Sequence, residues 1–342
     1  MKRFLMTILI LMTFMLSGCG GTTEPQDSNQ STNDSASNNV KGDLKISMLN
    51  VGQGDAILVQ TGAQTILIDT SDTDERALLV SELEKSSVTR IDKLILTHPH
   101  ADHIGSAKQI INPTGKILGE YPYLKNISVA EVYDNGIKSK SSLYTGYVKA
   151  IEKKKIPYHT LKAGDKLDFG NGVTFKVFSP TAETIETVNG GGKKSDPNNE
   201  SIVGILNYKN FSMMFTGDAE KKTEKEILSE TKPDELQCNV LKAGHHGSYS
   251  SSSKEFIEAV NPKYVLISAG QEEEGHNTYG HPHFEPLNNF IEQGVDKKKI
   301  LCTRWNGTIV VTSDGKNFSV DCDKKEDWLD KWMSQEKPQK KK

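Results

Sequence analysis

Disulfide scaffolding is excluded at the outset, because 342 residues carry only four cysteines. A surplus of either charge is also missing. Lys and Arg number 42 against 45 Asp and Glu, a formal net charge of −3, so no basic balance announces a nucleic-acid binder. Beyond the N-terminus the sequence lacks long apolar runs, and a mean hydropathy of −0.52 excludes a polytopic membrane protein. No internal repeat at solenoid periods is evident. Hydrophobic residues are 35%, a lowish share that still builds a sizeable core and excludes a wholly disordered chain. The length fits one α/β or two-layer domain of roughly 200–300 residues plus appendages.

The apolar exception comes first. Lys2 and Arg3 precede the run Phe4 to Leu16, which only threonines interrupt. This is the architecture of a signal peptide over residues 1–18, and the run is short for a transmembrane span. Its ending, Leu16-Ser17-Gly18-Cys19, resembles a bacterial lipobox. That resemblance implies a diacylglyceryl group on Cys19, which becomes the mature N-terminus. Cleavage there removes Lys2 and Arg3, leaving 40 basic against 45 acidic residues, net −5. Residues 19–42 are small and polar after the cysteine, with Val40 the one branched apolar residue. Nothing in them can be buried to offset ordering entropy, so they read as a flexible tether. The expected location is extracytoplasmic, anchored to the cell membrane by lipid.

From Asp43 the pattern becomes that of a folded domain, expected to run through residue 322. Leu44–Leu49, Ala56–Gln60 and Thr65–Asp69 are β-rich runs between glycine-containing turns, and predict an antiparallel meander. Helices are expected at 74–86, 104–111, 141–155, 220–230 and 254–260. Strands are expected at 93–96, 173–178, 202–208, 212–216, 237–242 and 264–268. The runs 300–304, 308–312 and 317–321 predict a closing three-stranded meander, with Asn306-Gly307 and Asp314-Gly315 as hairpin turns. This order fits two sheets covered by helices, an αββα sandwich in the α/β class. Residues 190–199, GGGKKSDPNN, read as a mobile loop, either an exposed linker or a lid. In the tail, 323–342, Trp328, Leu329 and Trp332 share one possible helical face and are expected to pack on the domain.

Nine histidines are present, and eight fall in two clusters. His98, His100 and His103 lie with Asp102 in THPHADHIG; His245, His246, His276, His281 and His283 form the second group, and His159 stands apart. The first segment follows an apolar run, and Pro99 disfavours helix at His98. A strand end feeding such a turn can aim four side chains at one point. Imidazole and carboxylate suit Zn²⁺ or Mn²⁺, and three His with one Asp exceed what one metal easily uses. His98 and His100 would serve one ion, Asp102 and His103 a second.

The HxHxDH pattern after a short strand resembles the signature of the metallo-β-lactamase fold superfamily. Further blocks narrow the resemblance. Val51-Gly52-Gln53-Gly54-Asp55-Ala56, Phe215-Thr216-Gly217-Asp218, Leu241-Lys242-Ala243-Gly244-His245-His246-Gly247-Ser248 and Tyr279-Gly280-His281-Pro282-His283 are similar to motifs of the ComEC family's C-terminal hydrolase domain. ComEC proteins are DNA-uptake channels of competent bacteria. The resemblance covers about residues 44 to 321 and implies a free-standing, lipid-anchored relative.

What it implies for the site is specific. Two divalent ions, Zn²⁺ or Mn²⁺, would be held by His98, His100, Asp102, His103 and Asp218, with Asp218 bridging. His245 or His246 would complete the second ion, and His245 is favoured because it comes first after the strand. The other would touch substrate or lie behind the ligands. Asp102 would also orient the attacking hydroxide, and His281 would donate a proton or contact phosphate. The superfamily often has a further histidine ligand before the bridging Asp. Here only His159 intervenes, away from any matching motif, so an oxygen of Asn199 or Ser201 is considered in its place. His283 and Asp55 are further candidates. The implied reaction is hydrolysis of a phosphodiester, single-stranded DNA among the candidates, with a small ester, lactone or lactam as the alternative substrate and DNA or metal binding without catalysis as the third. Lys153–Lys155, Lys193–Lys194 and Lys297–Lys299 could face a polyanion but read more simply as solvated surface. Outside the cytoplasm a Cys302–Cys322 disulfide is permitted.

Overall fold

The computed structural model describes residues 42–271 and 277–335. Cys19, the tether and His276 lie outside the described residues. Fifteen strands are described, in chain order: β1 Leu44–Met48, β2 Ile57–Gln60, β3 Thr65–Ile68, β4 Arg90–Leu96, β5 Ser128–Asp134, β6 Tyr158–Thr160, β7 Lys166–Asp168, β8 Val173–Ser179, β9 Val203–Tyr208, β10 Phe211–Phe215, β11 Val240–Lys242, β12 Tyr264–Ile267, β13 Ile300–Cys302, β14 Ile309–Ser313 and β15 Phe318–Cys322.

They form two sheets. The first has eight strands in the order β15-β14-β1-β2-β3-β4-β5-β6, and the second has seven, β13-β12-β11-β10-β9-β8-β7. Each sheet is antiparallel in one half and parallel in the other: β3 to β6 run parallel in the first, β10 to β13 in the second. Parallel neighbours need long crossovers, and helices such as Arg76–Lys85, Lys221–Glu230 and Lys254–Val260 supply them.

Period-two patterning explains the layering. Phe211, Met213 and Phe215 of β10 face the space between the sheets, with Ile46 and Met48 of β1, while Met214 faces outward. Three cores result. One lies between the sheets, one under the helices of the second sheet, and one under those of the first. The expected αββα sandwich is the observed fold.

Several local expectations are corrected. The closing meander has two strands, not three: β13 pairs with β12 in the second sheet, while β14 and β15 finish the first. Asn306-Gly307 therefore makes no hairpin. It ends the short helix Thr303–Asn306, and the chain crosses between sheets there. Gly307 is required, because its φ is +70° and a Cβ would meet Asp323 at 2.7 Å. Cys302 and Cys322, placed in different sheets, are free thiols. The helix expected at 104–111 is two short ones, Ala101–Ile104 and Ala107–Ile111. Polar strands β5, β6 and β7 escaped the apolar pattern. The end of the glycine-rich loop is pinned by Glu200, which accepts from Ser195 Oγ and Asp196 N. Trp328, Leu329 and Trp332 do pack on the domain, with the rings of Trp328 and Trp305 stacked at 4.1 Å, so described residues 323–335 belong to it.

Candidate metal centre

Every side chain of the centre comes from a turn at the C-terminal end of a strand in the parallel halves. Asp69 follows β3, the HxHxDH segment follows β4, Asp218 follows β10, and His245 and His246 follow β11. Ligand crevices in α/β sheets open at such strand ends. Pro99 keeps the first turn extended, and His100 caps the helix Ala101–Ile104 that carries Asp102 and His103. The loop bearing Asp55 presses directly on this helix. A Cβ on Gly54, whose φ is +139°, would stand 2.5 Å from the Asp102 carbonyl oxygen. Asp69, His245 and His246 hold positive φ angles of 60°, 46° and 53°. Such backbone strain in non-glycine residues concentrates at functional sites.

Asp102, His103, Asp218 and His246 form one group whose donor atoms all lie within 4.8 Å of one another. His246 Nε2 is 3.2 Å from Asp102 Oδ2 and 3.5 Å from Asp218 Oδ2, and His103 Nε2 is 3.2 Å from Asp218 Oδ1. Although they are that close, neither His103 Nε2 nor Asp218 Oδ1 makes a hydrogen bond, and both are buried. Two imidazoles and two carboxylates converging on one point, with His103 Nε2 and Asp218 Oδ1 left orphaned, fit a divalent cation. His98 and His100 stand beside this group, with His98 Nε2 3.0 Å from His100 Nδ1 and 3.9 Å from Asp218 Oδ2.

The charges divide the histidines. Burial disfavours the charge on His103, but Asp218, Asp69 and Asp102 outweigh it and hold the imidazole well above the usual range. His246 is likewise pushed up to about 10 against its own burial by Asp218 and Asp102. Burial also works against the Asp218 carboxylate, yet His103 and His246 keep its pKa well below the usual value. Asp102 is lowered in the same way, chiefly by His103. His98 goes well below the histidine range through burial and the neighbouring His103, and burial lowers His100.

The other candidates separate. His246, not the favoured His245, takes the place in the four-donor group. His245 turns its Nδ1 to Glu220 Oε1 at 3.1 Å and leaves Nε2 3.8 Å from Asp218 Oδ2. Asn199 offers no free oxygen, since Oδ1 accepts from Thr223 and Nδ2 donates to Asp196 and Glu220. Ser201 Oγ lies 3.3 Å from His98 Nδ1 and accepts from Asp218 N, so it supports both residues from behind. His283 is spent on holding loops together, Nδ1 accepting from Tyr249 N and Nε2 donating to the Tyr279 carbonyl. His281 lines the pocket, with Gln53 3.4 Å from its Nδ1, and burial together with His246 pushes its pKa down to about 2. His159 lies on β6, stacked on Tyr133 outside the site.

Two residues were missed. Asp69 accepts from Thr97 N and Thr97 Oγ1 at 2.7 Å each, and its Oδ2 meets His103 Nδ1 at 2.7 Å. A carboxylate closing the apolar strand ILID was the available signal. Lys242, 1% exposed, donates to Asp55 Oδ2 at 2.8 Å. Asp55, Asp69 and His103 also have a spacing that suits a metal, but Lys242 holds Asp55 Oδ2, leaving Oδ1 without a hydrogen bond, and Thr97 serves both oxygens of Asp69.

A cavity of about 740 Å³ opens over the centre, with His100, Asp102, Asp218, His245, His246 and His281 in its wall. The pattern of the metallo-beta-lactamase superfamily matches residues 49–271. The chain belongs to that superfamily. Among curated superfamily relatives, ComE operon protein 3 of Bacillus subtilis (strain 168) is 29% identical over 283 residues, 78% of this chain and 32% of that protein. Competence protein ComA of Neisseria gonorrhoeae is 27% identical over 270 residues, 79% of this chain and 32% of that protein. The chain thus spans about a third of the length of these relatives, in keeping with the resemblance to one domain of ComEC proteins. Among solved structures, the metallo-beta-lactamase fold protein YhfI from Bacillus subtilis is 12% identical with a TM-score of 0.47, covering 78% of this chain and 99% of that one.

Proposed function

We propose that this protein is a metal-dependent phosphodiesterase acting on nucleic acid outside the cytoplasm, carried by lipid on Cys19. The observation that carries the reading is the group of buried His103, Asp218 and His246 with half-buried Asp102, from which Asp102, Asp218 and His246 line an open cavity. Asp102, His103, Asp218 and His246 would hold one divalent ion, and His98 and His100 with Asp218 a second, Zn²⁺ or Mn²⁺. Bound there, the ions supply a hydroxide at neutral pH and neutralise charge on substrate oxygens. The chain's own part is orientation. Asp69 fixes the His103 ring through Nδ1, and Ser201 braces His98. His281, held neutral by burial, contacts the phosphate or its leaving oxygen from the cavity wall. The competence proteins among the relatives, and the similarity of the Gly52–Ala56, Asp218 and His245–Ser248 blocks to ComEC motifs, favour a phosphodiester. Tyr249 and Tyr279 flank the mouth at 55% and 67% exposure, a surface on which unpaired bases stack.

One observation favours a second reading. Among the described residues, no Lys or Arg lines the cavity, while Asp72, Asp74 and Glu220 do. A small phosphodiester, ester or lactone needs no basic track, whereas a long polyanion gains from one. Labelled single- and double-stranded DNA incubated with Mn²⁺, Zn²⁺ or EDTA separates the two. Metal-dependent cleavage that disappears in Asp102→Ala is the expected result. Metal-loaded protein that leaves both DNAs intact would refute the nuclease reading and move the search to small esters.

A further inference from the structure

Lys242 does not reach the cavity. It ends β11 beneath the metal centre, buried to 1% exposure, and its ammonium has three acceptors for its three protons. These are Asp55 Oδ2 at 2.8 Å, the Gly217 carbonyl at 2.9 Å and the Ala243 carbonyl at 3.0 Å. Gly217 immediately precedes Asp218, and Ala243 opens the turn that delivers His246. Asp55 in turn donates its backbone N–H to the Asp102 carbonyl at 3.0 Å. Its carboxylate stands 3.6 Å from His246 Nδ1 and 3.9 Å from His103 Nδ1. One buried ion pair therefore touches each segment that brings a donor to the four-residue group.

We infer that Lys242 is a positioning residue for the metal centre: a built-in cation that sets the spacing of Asp218 and His246 and keeps a metal off the inner carboxylate Asp55. The inference rests on the metal-binding reading above. A general argument separates this role from plain stabilisation. Burying an ammonium and a carboxylate carries a desolvation cost that their attraction barely offsets, and neutral pairs of similar volume often fold as well or better. If stability were the only use, a neutral pair would serve. Only the site needs the short, charged, three-way contact, because small shifts in ligand spacing change a metal's coordination.

The test exploits that separation. Lys242→Met alone leaves Asp55 charged and unpaired and is expected to lower the melting temperature. The double variant Lys242→Met/Asp55→Asn is neutral, and is expected to melt cooperatively near wild type. Its metal centre is expected to remain altered. Chelator competition should give ~10–100-fold weaker Co²⁺ binding, and the visible bands of bound Co²⁺ should shift. A double variant that binds Co²⁺ with wild-type affinity and spectrum would reduce Lys242 to a stabilising residue. Should the Met pair fail to melt cooperatively, Lys242→Gln/Asp55→Asn replaces it; failure of both neutral pairs to fold would overturn the separation of site geometry from stability. Wild-type protein that binds no Co²⁺ would refute the metal reading itself, an outcome distinct from loss in the variant alone.

Discussion

Two pairs of histidines stand side by side in this centre and live in opposite surroundings. His103 and His246 are ringed by Asp69, Asp102 and Asp218, and their pKa values rise. His98 and His100 face each other at 3.0 Å, His98 stands 3.9 Å from the Asp218 carboxylate, and their pKa values fall. The first pair sits in a concentration of negative charge that attracts a cation but holds protons against it. The second is already neutral and ready to coordinate, but has little charge with which to hold an ion. On the proposed reading, the same edge of the fold would make two unequal half-sites, one tight and one loose, joined by Asp218.

Removing Asp218 should break the comparison outright, since its carboxylate lies 3.9 Å from His98 Nε2 and 3.2 Å from His103 Nε2. Asp218→Ala is expected to lose both equivalents of bound metal, counted by elemental analysis, together with all metal-dependent hydrolysis. Asp69→Asn should act on the tight half alone. It weakens the acceptor of His103 Nδ1, and should reduce affinity for the first equivalent by ~10–100-fold while leaving the second unchanged in chelator competition. The subtlest test counts protons. A raised histidine pKa means that the proton is bound below it and competes with metal until pH passes it. At pH 7 the first equivalent should therefore displace protons from His103 and His246, and its affinity should climb with pH towards about 10, where His246 deprotonates. The second equivalent should release none from His98 or His100. Calorimetric titration in buffers of different ionisation enthalpy reads this directly, and equal release by both equivalents would dissolve the distinction.

Much of this was legible in the sequence because it is written locally. The HxHxDH segment and the strands follow from apolar runs ending in polar turns, and Asp218 from the resemblance of its Phe215–Asp218 block to a superfamily motif. What stayed hidden depends on chain path. Which of His245 and His246 enters the four-residue group is set by two left-handed residues in succession, which send the first ring to Glu220 and the second to Asp102. No periodicity announces that turn. Asp69 and Lys242 lie 34 and 139 residues from His103, and only the packing of the sheets brings them together. The strand Ile300–Cys302 read correctly as a strand but joined the other sheet, because pairing is tertiary.

The seam between the sheets has a mechanical consequence. Asp102 rides on the first sheet and His246 on the second, 3.2 Å apart. A slip of one residue along a strand is about 3.3 Å, as large as that separation. An ion held by both residues would act as a clasp across the two halves of the sandwich. Loading it would stiffen the whole molecule, and the chemistry could run only while the two layers keep their alignment.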